Sequence, residues 1–289
     1  MRKILHITSG DIAGESLVRS GVPGEVFVWH DILYDGPRAS GWPEETSYDA
    51  RARFLVDTTA GGLTMDQVMH TLAGQYQKLA QADAYDRVVL WFDACLFDQS
   101  MLTHILTCLF ERGIDNADLL CVDAFPGIDP YHGLGQLKPS QLAGLYGRQT
   151  PVTDAQFAFA KVVDASFAYQ DQDKFGELSQ LADAPLPWIP AAVKRWLAEQ
   201  PDSVTGLGRL EQLALDALGK GCETPWEIFA AVSEADTPPQ YWGDITLWAK
   251  LNALADRTPA LVRIQGPAQR LPQWESNVDL KQFKLTLPN

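Results

Sequence analysis

Residues 88–99 place the tightest constraint on the fold. Their sequence is VVLWFDACLFDQ, in which five apolar residues are followed at once by acids and amides. An unbroken apolar run of this length fits a strand buried on both faces, as in the middle of a parallel sheet, and the polar end fits the start of a helix. Because open α/β sheets bind ligands beyond the carboxyl ends of their strands, we expect Asp93, Asp98 and Gln99 to lie at a ligand site.

Three further segments have the pattern of strands and alternate with helical patterns. The predicted strands cover residues 3–8, 26–33 and 118–122. A tight turn at residues 9–14 is predicted to lead into a short helix that ends at residue 19. Further helices are predicted at residues 49–58, 64–80 and 101–109, the last two as amphipathic helices with one apolar face. Alternation of this kind indicates parallel pairing through right-handed crossovers. Residues 1–150 are therefore predicted to form an α/β domain with a Rossmann-like, mostly parallel sheet of at least four strands.

The rest of the chain is predicted to be mainly helical. Residues 151–203 read as a helical extension or linker, where Thr153 and Gln156 match a capping box. Residues 204–289 show three helical patterns and then two short strand patterns, which is the order of a winged-helix-like module. A winged helix can bind DNA, but residues 190–289 carry ten basic against twelve acidic side chains. DNA readers are usually basic, so docking against the first domain or a protein partner is favoured, with DNA contact left open.

Composition limits the classes of protein. Apolar residues make up 46% of the 289-residue chain, and no apolar run approaches the roughly 20 residues needed to cross a bilayer. The four cysteines show no close pairing, which argues against a disulfide framework or a zinc knuckle. Residues 1–150 contain eleven Lys and Arg against nineteen Asp and Glu, which argues against non-specific nucleic-acid binding by this half. We expect an acidic, cytoplasmic protein without a membrane segment.

Polar side chains follow the carboxyl end of every predicted strand. These ends meet at one edge of a parallel sheet, so we expect them to form a shared crevice for a small polar ligand. The candidate ligand-binding residues are Ser9, Gly10, Asp11, His30, Asp31, Gln99, Asp123, Gly133, Gly135 and Gln136. The candidate catalytic residues are His132, Asp98 and Asp93. A crevice lined by carboxylates favours a cationic or polyhydroxylated ligand, of the nucleotide or sugar type, over a bare phosphate.

Each candidate also has a plainer interpretation. His132 could act as a general acid or base, since it is the side chain of its loop that exchanges protons near neutral pH, or it could simply bond to backbone. The aspartates, with His6, His30 and His132 nearby, could hold a divalent cation, although no tight ligand spacing supports this. Asp11 could equally be a helix cap, and Cys95 a small buried residue rather than a nucleophile.

Several blocks of the sequence resemble the uncharacterised bacterial family catalogued as domain of unknown function 1835. They are LHITSGD (5–11), VPGEVFVWHDILYDGP (22–37), ARARFL (50–55), VVLWFDACLFDQ (88–99), FPGIDPYHGLGQL (125–137), PVTDAQ (151–156), GLGRLEQLALDALGKG (206–221) and TPWEIF (224–229). The family's third-strand motif generally resembles W-F-E-H-D-L-Y-D-Q, and Ala94 and Cys95 stand here in place of its His-Asp pair. The resemblance implies no established activity.

Three functions remain open on the sequence. The first is binding of a small polar ligand in the crevice, with or without acid/base or metal-assisted chemistry. The second is a ligand-sensing regulator that uses the winged-helix-like module for protein or DNA contacts. The third, suggested by Ala94 and Cys95, is a non-catalytic scaffold that has lost a His-Asp pair. A protein partner or a homo-oligomer is compatible with each.

Overall fold

The central element is a five-stranded sheet with the strand order β2-β1-β3-β4-β5. The computed structural model describes residues 3–59, 62–273 and 278–288. The strands are β1 (Ile4–Ser9), β2 (Glu25–Trp29), β3 (Arg87–Asp93), β4 (Ala117–Val122) and β5 (Thr150–Pro151). The first four are parallel, and the two-residue β5 pairs antiparallel with β4. The predicted Rossmann-like, mostly parallel α/β fold is confirmed.

The sheet is covered on both faces, as the apolar run of β3 requires. Val89 and Trp91 face a smaller core that also contains residues of α1 (Asp11–Arg19) and α5 (Pro139–Leu145). Val88, Leu90 and Phe92 face the larger core, together with residues of α2 (Tyr48–Thr58), α3 (Met65–Ala80) and α4 (Leu96–Glu111). Alternate side chains of one strand thus supply two cores, which fixes β3 in the middle of the sheet.

Helix α4 is buried all round, which the sequence did not predict. The helices α6 (Asp154–Tyr169) and α8 (Ile189–Ala198) pack on it, with the short α7 (Gln172–Ser179) between them in the chain. Its polar residues Ser100, Thr103, His104 and Thr107 are at most 1% exposed. The prediction of one apolar face was wrong because α6 covers the face that would otherwise meet water.

The second strand is shorter than predicted. It ends at Trp29 rather than at residue 33, because the chain leaves the sheet at His30 and Asp31 turns to an arginine of α2. The side chains of His30 and Asp31 therefore belong to a loop that follows the strand. This loop sets the positions of two predicted ligand-binding residues.

Three helices and a small antiparallel sheet follow in the predicted order. They are α9 (Arg209–Gly219), α10 (Pro225–Ala235), α11 (Asp244–Asp256), β6 (Arg263–Gln265) and β7 (Lys284–Thr286). Part of the predicted loop before β7, residues 274–277, lies outside the described residues. Trp242 and Trp248 are 3% and 1% exposed, so they pack inside the protein as predicted. The likeness of this region to a winged helix stays a prediction.

The carboxyl-terminal helices share the larger core with the sheet. That core contains residues from Leu5 of β1 to Leu285 of β7. The ring of Tyr34, which follows β2, lies 5.4 Å from the ring of Tyr241, and Trp196 Nε1 of α8 donates to the Tyr34 carbonyl at 3.0 Å. Among the described residues, no helix combines the length and the apolar content that crossing a bilayer would require.

Candidate functional site

The candidate site lies where the order of the strands reverses. From β1 the chain passes to β2 on one side, and from β3 it passes to β4 on the other side, although β1 and β3 are neighbours. Doubly wound sheets bind their ligands at such a switch point, beyond the carboxyl ends of the two strands. Here those ends are Ser9 and Asp93, and the helices α1 and α4 begin just after them.

A buried hydrogen-bond network joins the two strand ends to α4. Ser9 Oγ donates a short hydrogen bond to Asp98 Oδ1, and the backbone N–H of Asp93 donates to Asp98 Oδ2 at 2.7 Å. Gln99 Nε2 donates to the Asp93 carbonyl at 2.7 Å. The structure therefore brings together Ser9, Asp93, Asp98 and Gln99, all of which the sequence placed at the site. With Cys95, we call Ser9, Asp93 and Asp98 the switch-point cluster.

Cys95 caps α4 instead of acting as an exposed thiol. Its Sγ accepts the Asp98 N–H at 3.4 Å, and its own N–H donates to Asp93 Oδ1 at 3.1 Å. Burial raises the pKa of the Cys95 thiol, and the carboxylates of Asp93 and Asp98 raise it further. A thiol held protonated is a poor nucleophile, so the geometry favours the small buried residue.

Asp93 and Asp98 differ from the other buried aspartates of the described chain in having no cationic partner. Asp31, Asp118, Asp164 and Asp236 are each paired with an arginine. Burial raises the pKa of both Asp93 and Asp98, and the neighbouring Asp93 charge raises that of Asp98 further. Because an unpaired buried charge is costly, each of these carboxyl groups holds its proton to a higher pH than an exposed aspartate does.

The loop of residues 131–136 covers this cluster. The Leu134 N–H donates to Asp93 Oδ2 at 3.2 Å, and the His132 N–H donates to Gln136 Oε1 at 2.6 Å. Gly133 has φ 143°, and a Cβ on it would lie 2.5 Å from Asp93 Oδ2. The loop thus approaches Asp93 as closely as a backbone without a side chain allows.

Two polar atoms of the covering loop are buried without a hydrogen-bond partner. They are the Tyr131 hydroxyl and His132 Nδ1. Burial raises the pKa of the Tyr131 phenol, and the charges of Asp93 and Asp98 add to this effect, so the phenol lies within their electrostatic reach. Buried polar groups without partners are uncommon and often point to a role in binding. Tyr131 is a residue that sequence reasoning missed, because an isolated tyrosine carries no spacing signal.

Asp11 and His30 form a separate pair at the surface. His30 Nε2 lies 2.8 Å from Asp11 Oδ1, with 46% and 77% of the two side chains exposed. Gly10 occupies the N-cap position of α1 with φ 71°, so Asp11 is the first helical residue and the helix-cap interpretation is wrong. The pair flanks Gly10 at the open side of the switch point.

The remaining predicted residues have partners elsewhere or lie at the rim. Asp31 accepts from Arg51 at 2.6 Å in a buried ion pair, which explains its position without a ligand. Asp123 is exposed and accepts from Trp188 Nε1 at 3.2 Å. Gly135 and Gln136 are exposed, and Gly135 lies near Ile12 of α1. The structure therefore places Gly135 and Gln136 at the switch point and gives Asp31 and Asp123 different surroundings.

His6 lies in the smaller core and cannot complete a metal site. Its Nδ1 accepts from Trp91 Nε1 at 3.0 Å, and its Nε2 lies 3.1 Å from the Pro23 carbonyl. Burial lowers the pKa of this histidine, which favours the neutral ring. Potential metal-ligand atoms do converge at the switch-point cluster, where one atom each of Asp93, Cys95 and Asp98 lie within 4.8 Å of one another. A cation would have to displace the protons that burial favours there.

A second buried polar network lies on the other side of α4. Asp164 of α6 accepts from Arg38 Nη1 at 2.7 Å and from the Gly41 N–H at 2.7 Å, and His104 Nδ1 lies 3.1 Å from the same carboxylate. The Tyr76 hydroxyl of α3 lies 2.7 Å from His104 Nε2. Every charge in this network has a partner, so it fastens the loop after β2 to three helices.

Comparison of the chain with protein-family models and with curated proteins found no match. The resemblance to domain of unknown function 1835 therefore stays a prediction. What can be said of function rests on the geometry of the switch point.

Proposed function

We propose that this protein binds a small polar ligand of the nucleotide or sugar type at the switch point between β1 and β3. The observation that carries the proposal is the pair of buried carboxyl groups, Asp93 and Asp98, which are 7% and 2% exposed and which no Lys, Arg or His of the described residues pairs with. Proteins keep such costly groups where a ligand or a reaction uses them. Their position at a strand-order reversal supports the same site.

The chemistry of the cluster suits hydroxyl and amino groups. A protonated carboxyl group donates one hydrogen bond and accepts others, so Asp93 and Asp98 can bind a hydroxylated ring from both directions. The free N–H groups at the start of α1, beyond Gly10, suit an anionic end of the same ligand. A raised carboxyl pKa also suits a general acid, with Asp98 as the donor and His132 as a second proton carrier.

Binding requires movement of the covering loop. Ser9, Asp93 and Asp98 are all less than one-tenth exposed, and the Leu134 N–H and Gly133 lie directly over Asp93. A ligand that reaches these side chains displaces residues 131–136 and meets Tyr131, His132 and Gln136 on the way. The unpartnered Tyr131 hydroxyl and His132 Nδ1 support a loop that gains hydrogen bonds when a ligand is present.

The test is a thermal-shift screen of nucleosides, nucleotides, sugars and sugar phosphates, each with and without Mg²⁺, followed by calorimetric titration. We expect Asp98→Asn and Ser9→Ala to weaken binding of every hit by about tenfold or more. The first replaces an accepting oxygen of the cluster with a donating NH2 group, and the second removes the hydroxyl that bonds to Asp98. Asp118→Asn is the matched control, since Asp118 is also buried but lies at the amino end of β4 beside Arg87.

The proposal fails if Asp98→Asn, Asp11→Asn and His132→Gln all bind the hits as the unchanged protein does. A gain in affinity with Mg²⁺ that Asp98→Asn removes would assign a divalent cation to the cluster. We also propose a cytoplasmic location, which the four free cysteines support.

A second candidate function is a ligand-sensing regulator. The observation in its favour is the contact of Tyr34 with Tyr241 and Trp196, because Tyr34 belongs to the loop that follows β2 at the switch-point edge. A shift of this loop would change the contact between Tyr34 and Tyr241 and so would act on residues 204–289. Binding of the full chain to duplex DNA, measured by fluorescence anisotropy at low and high salt with and without ligand, tests it. Absence of binding at low ionic strength would exclude DNA as the partner of such a regulator.

A further inference from the structure

A groove runs along the edge of the sheet between α1 and β2. Val26 and Val28 of β2 form its floor, and Gly14 and Val18 of α1 form one wall; its volume is about 270 Å³. β2 is the outermost strand, and within the described residues no strand pairs with its outer edge. Its central residues are only half-buried. This side of the sheet therefore combines an open strand edge with uncovered apolar side chains.

Helix α1 adds an exposed apolar side chain to the groove. Val18, which lines it, is 64% exposed, a value exceeded among the large apolar residues of the sheet-forming half only by Ile12 on another side of the helix. The buried residues of α1, Ala13, Gly14 and Leu17, face the sheet. An apolar groove beside an exposed valine on a regular helix is the kind of surface that another protein covers.

The charges of α1 are self-complementary. Asp11 and Glu15 stand toward the amino end of the exposed arc, and Arg19 stands at its carboxyl end. A copy of the helix laid antiparallel would place its Arg19 opposite Glu15, and its Glu15 opposite Arg19, so the pair forms twice. A parallel copy would place Glu15 against Glu15. The charge order therefore selects an antiparallel partner, which is the arrangement that a twofold axis produces.

We propose that a second copy of this chain docks on the groove across a twofold axis, with the two α1 helices antiparallel and Glu15 facing Arg19 of the other copy. In that register the axis passes beside Leu17 and Val18, so the Val18 side chains of both copies meet at the centre. The exposed face of each α1 then packs against Val26 and Val28 in the groove of the other copy. A chain of net charge −14 repels its own copies at long range. Glu15 and Arg19 already pair within each helix, and in the dimer the same charges also attract their counterparts in the other copy.

The test is analytical ultracentrifugation of the full chain over a range of concentrations. The unchanged protein is expected to form a dimer, and Val18→Asp is expected to abolish it because a charge would be buried twice at the axis. Glu15→Arg is expected to weaken dimerisation by about tenfold or more, since each copy then presents Arg against Arg. The double variant Glu15→Arg with Arg19→Glu is expected to restore the dimer, because the pair is re-formed with its charges exchanged.

Controls separate the contact from effects on folding. Val162→Asp changes another exposed valine, on α6 and away from the groove, and is expected to leave the dimer intact. The double variant also keeps the Glu15–Arg19 pairing within its own helix, with the order reversed. A monomer at every concentration overturns the proposal. A dimer that survives Val18→Asp, or one that the double variant fails to restore after Glu15→Arg has broken it, also overturns it.

Discussion

Gly133 is the residue at which the covering loop comes closest to the carboxyl pair. Its φ of 143° belongs to a region that side chains rarely adopt, and an added Cβ would lie 2.5 Å from Asp93 Oδ2. We expect Gly133→Ala to lower the free energy of unfolding by about 1–3 kcal/mol, because both backbone strain and a clash with Asp93 are introduced. Urea denaturation followed by tryptophan fluorescence measures the change.

Gly135→Ala is the matched control two residues away. Its Cβ would meet Ile12 at 3.8 Å, an ordinary contact, and its φ lies outside the left-handed region. We expect this variant to stay within about 0.5 kcal/mol of the unchanged protein. Equal losses for the two variants would mean that the loop tolerates or rejects side chains for reasons unrelated to Asp93.

The sequence predicts the members of the site better than it predicts their partners. Ser9, Asp93, Asp98 and Gln99 follow strands, and the structure joins them in one network. The same signal also selected Asp31, which instead pairs with Arg51, 20 residues further along the chain. Polarity at a strand end marks a side chain that leaves the core, but the partner depends on tertiary packing. No sequence pattern separates the two cases.

The Asp31–Arg51 pair fastens the element α2 to the end of β2. Both side chains are at most 4% exposed. We expect Asp31→Asn to lower the free energy of unfolding by about 3–5 kcal/mol, because it leaves the Arg51 guanidinium buried without its counter-charge. Chemical denaturation at neutral pH is the measurement, with circular dichroism to verify that the variant folds.

The exposed pair Asp49–Arg53 on the same helix provides the control. It spans one helical turn, and its side chains are 56% and 71% exposed. Asp49→Asn is expected to cost at most about 0.5 kcal/mol, since solvent screens such pairs. If Asp31→Asn cost no more than Asp49→Asn, the buried pair would not be what holds α2 against the strand.

Helices could be predicted where neighbouring residues determine their features, and less well where packing against distant parts of the chain determines them. The capping box predicted at Thr153 is present, because a cap is formed within four residues. The prediction that α4 buries only one face was wrong, because α6, which covers its other face, begins more than 40 residues later in the chain. Its His104 lies on the face that α6 covers, so the network with Asp164 could not be found from periodicity.

At the scale of the whole molecule, buried aspartates of two kinds have opposite effects on the free energy of unfolding as the pH changes. Burial raises the pKa of Asp98, so the folded state holds a proton that the unfolded chain releases above about pH 4. Its contribution is therefore favourable below that pH and is lost as the pH rises. Burial also acts on Asp164, but His104 and Arg38 outweigh it and hold the pKa below its ordinary value. The Asp164 contribution is present above about pH 4 and is lost as the pH falls.

These opposite signs predict opposite behaviour for two isosteric variants. The unfolding free energy of Asp98→Asn, taken relative to the unchanged protein, is expected to rise as the pH increases from about 4 to about 8, because the variant has no buried carboxyl group to ionise. Asp164→Asn is expected to be destabilised by about 3 kcal/mol or more at neutral pH and to approach the unchanged protein in acid, where the lost ion pair no longer contributes. Urea denaturation from about pH 2 to about pH 8 measures both, with the Asp98 effect expected above about pH 4 and the Asp164 effect below it. A parallel pH profile for Asp98→Asn and the unchanged protein would show that the pKa of Asp98 is the same in the folded and the unfolded chain, so that the hydrogen bonds from Ser9 and Asp93 offset the effect of burial.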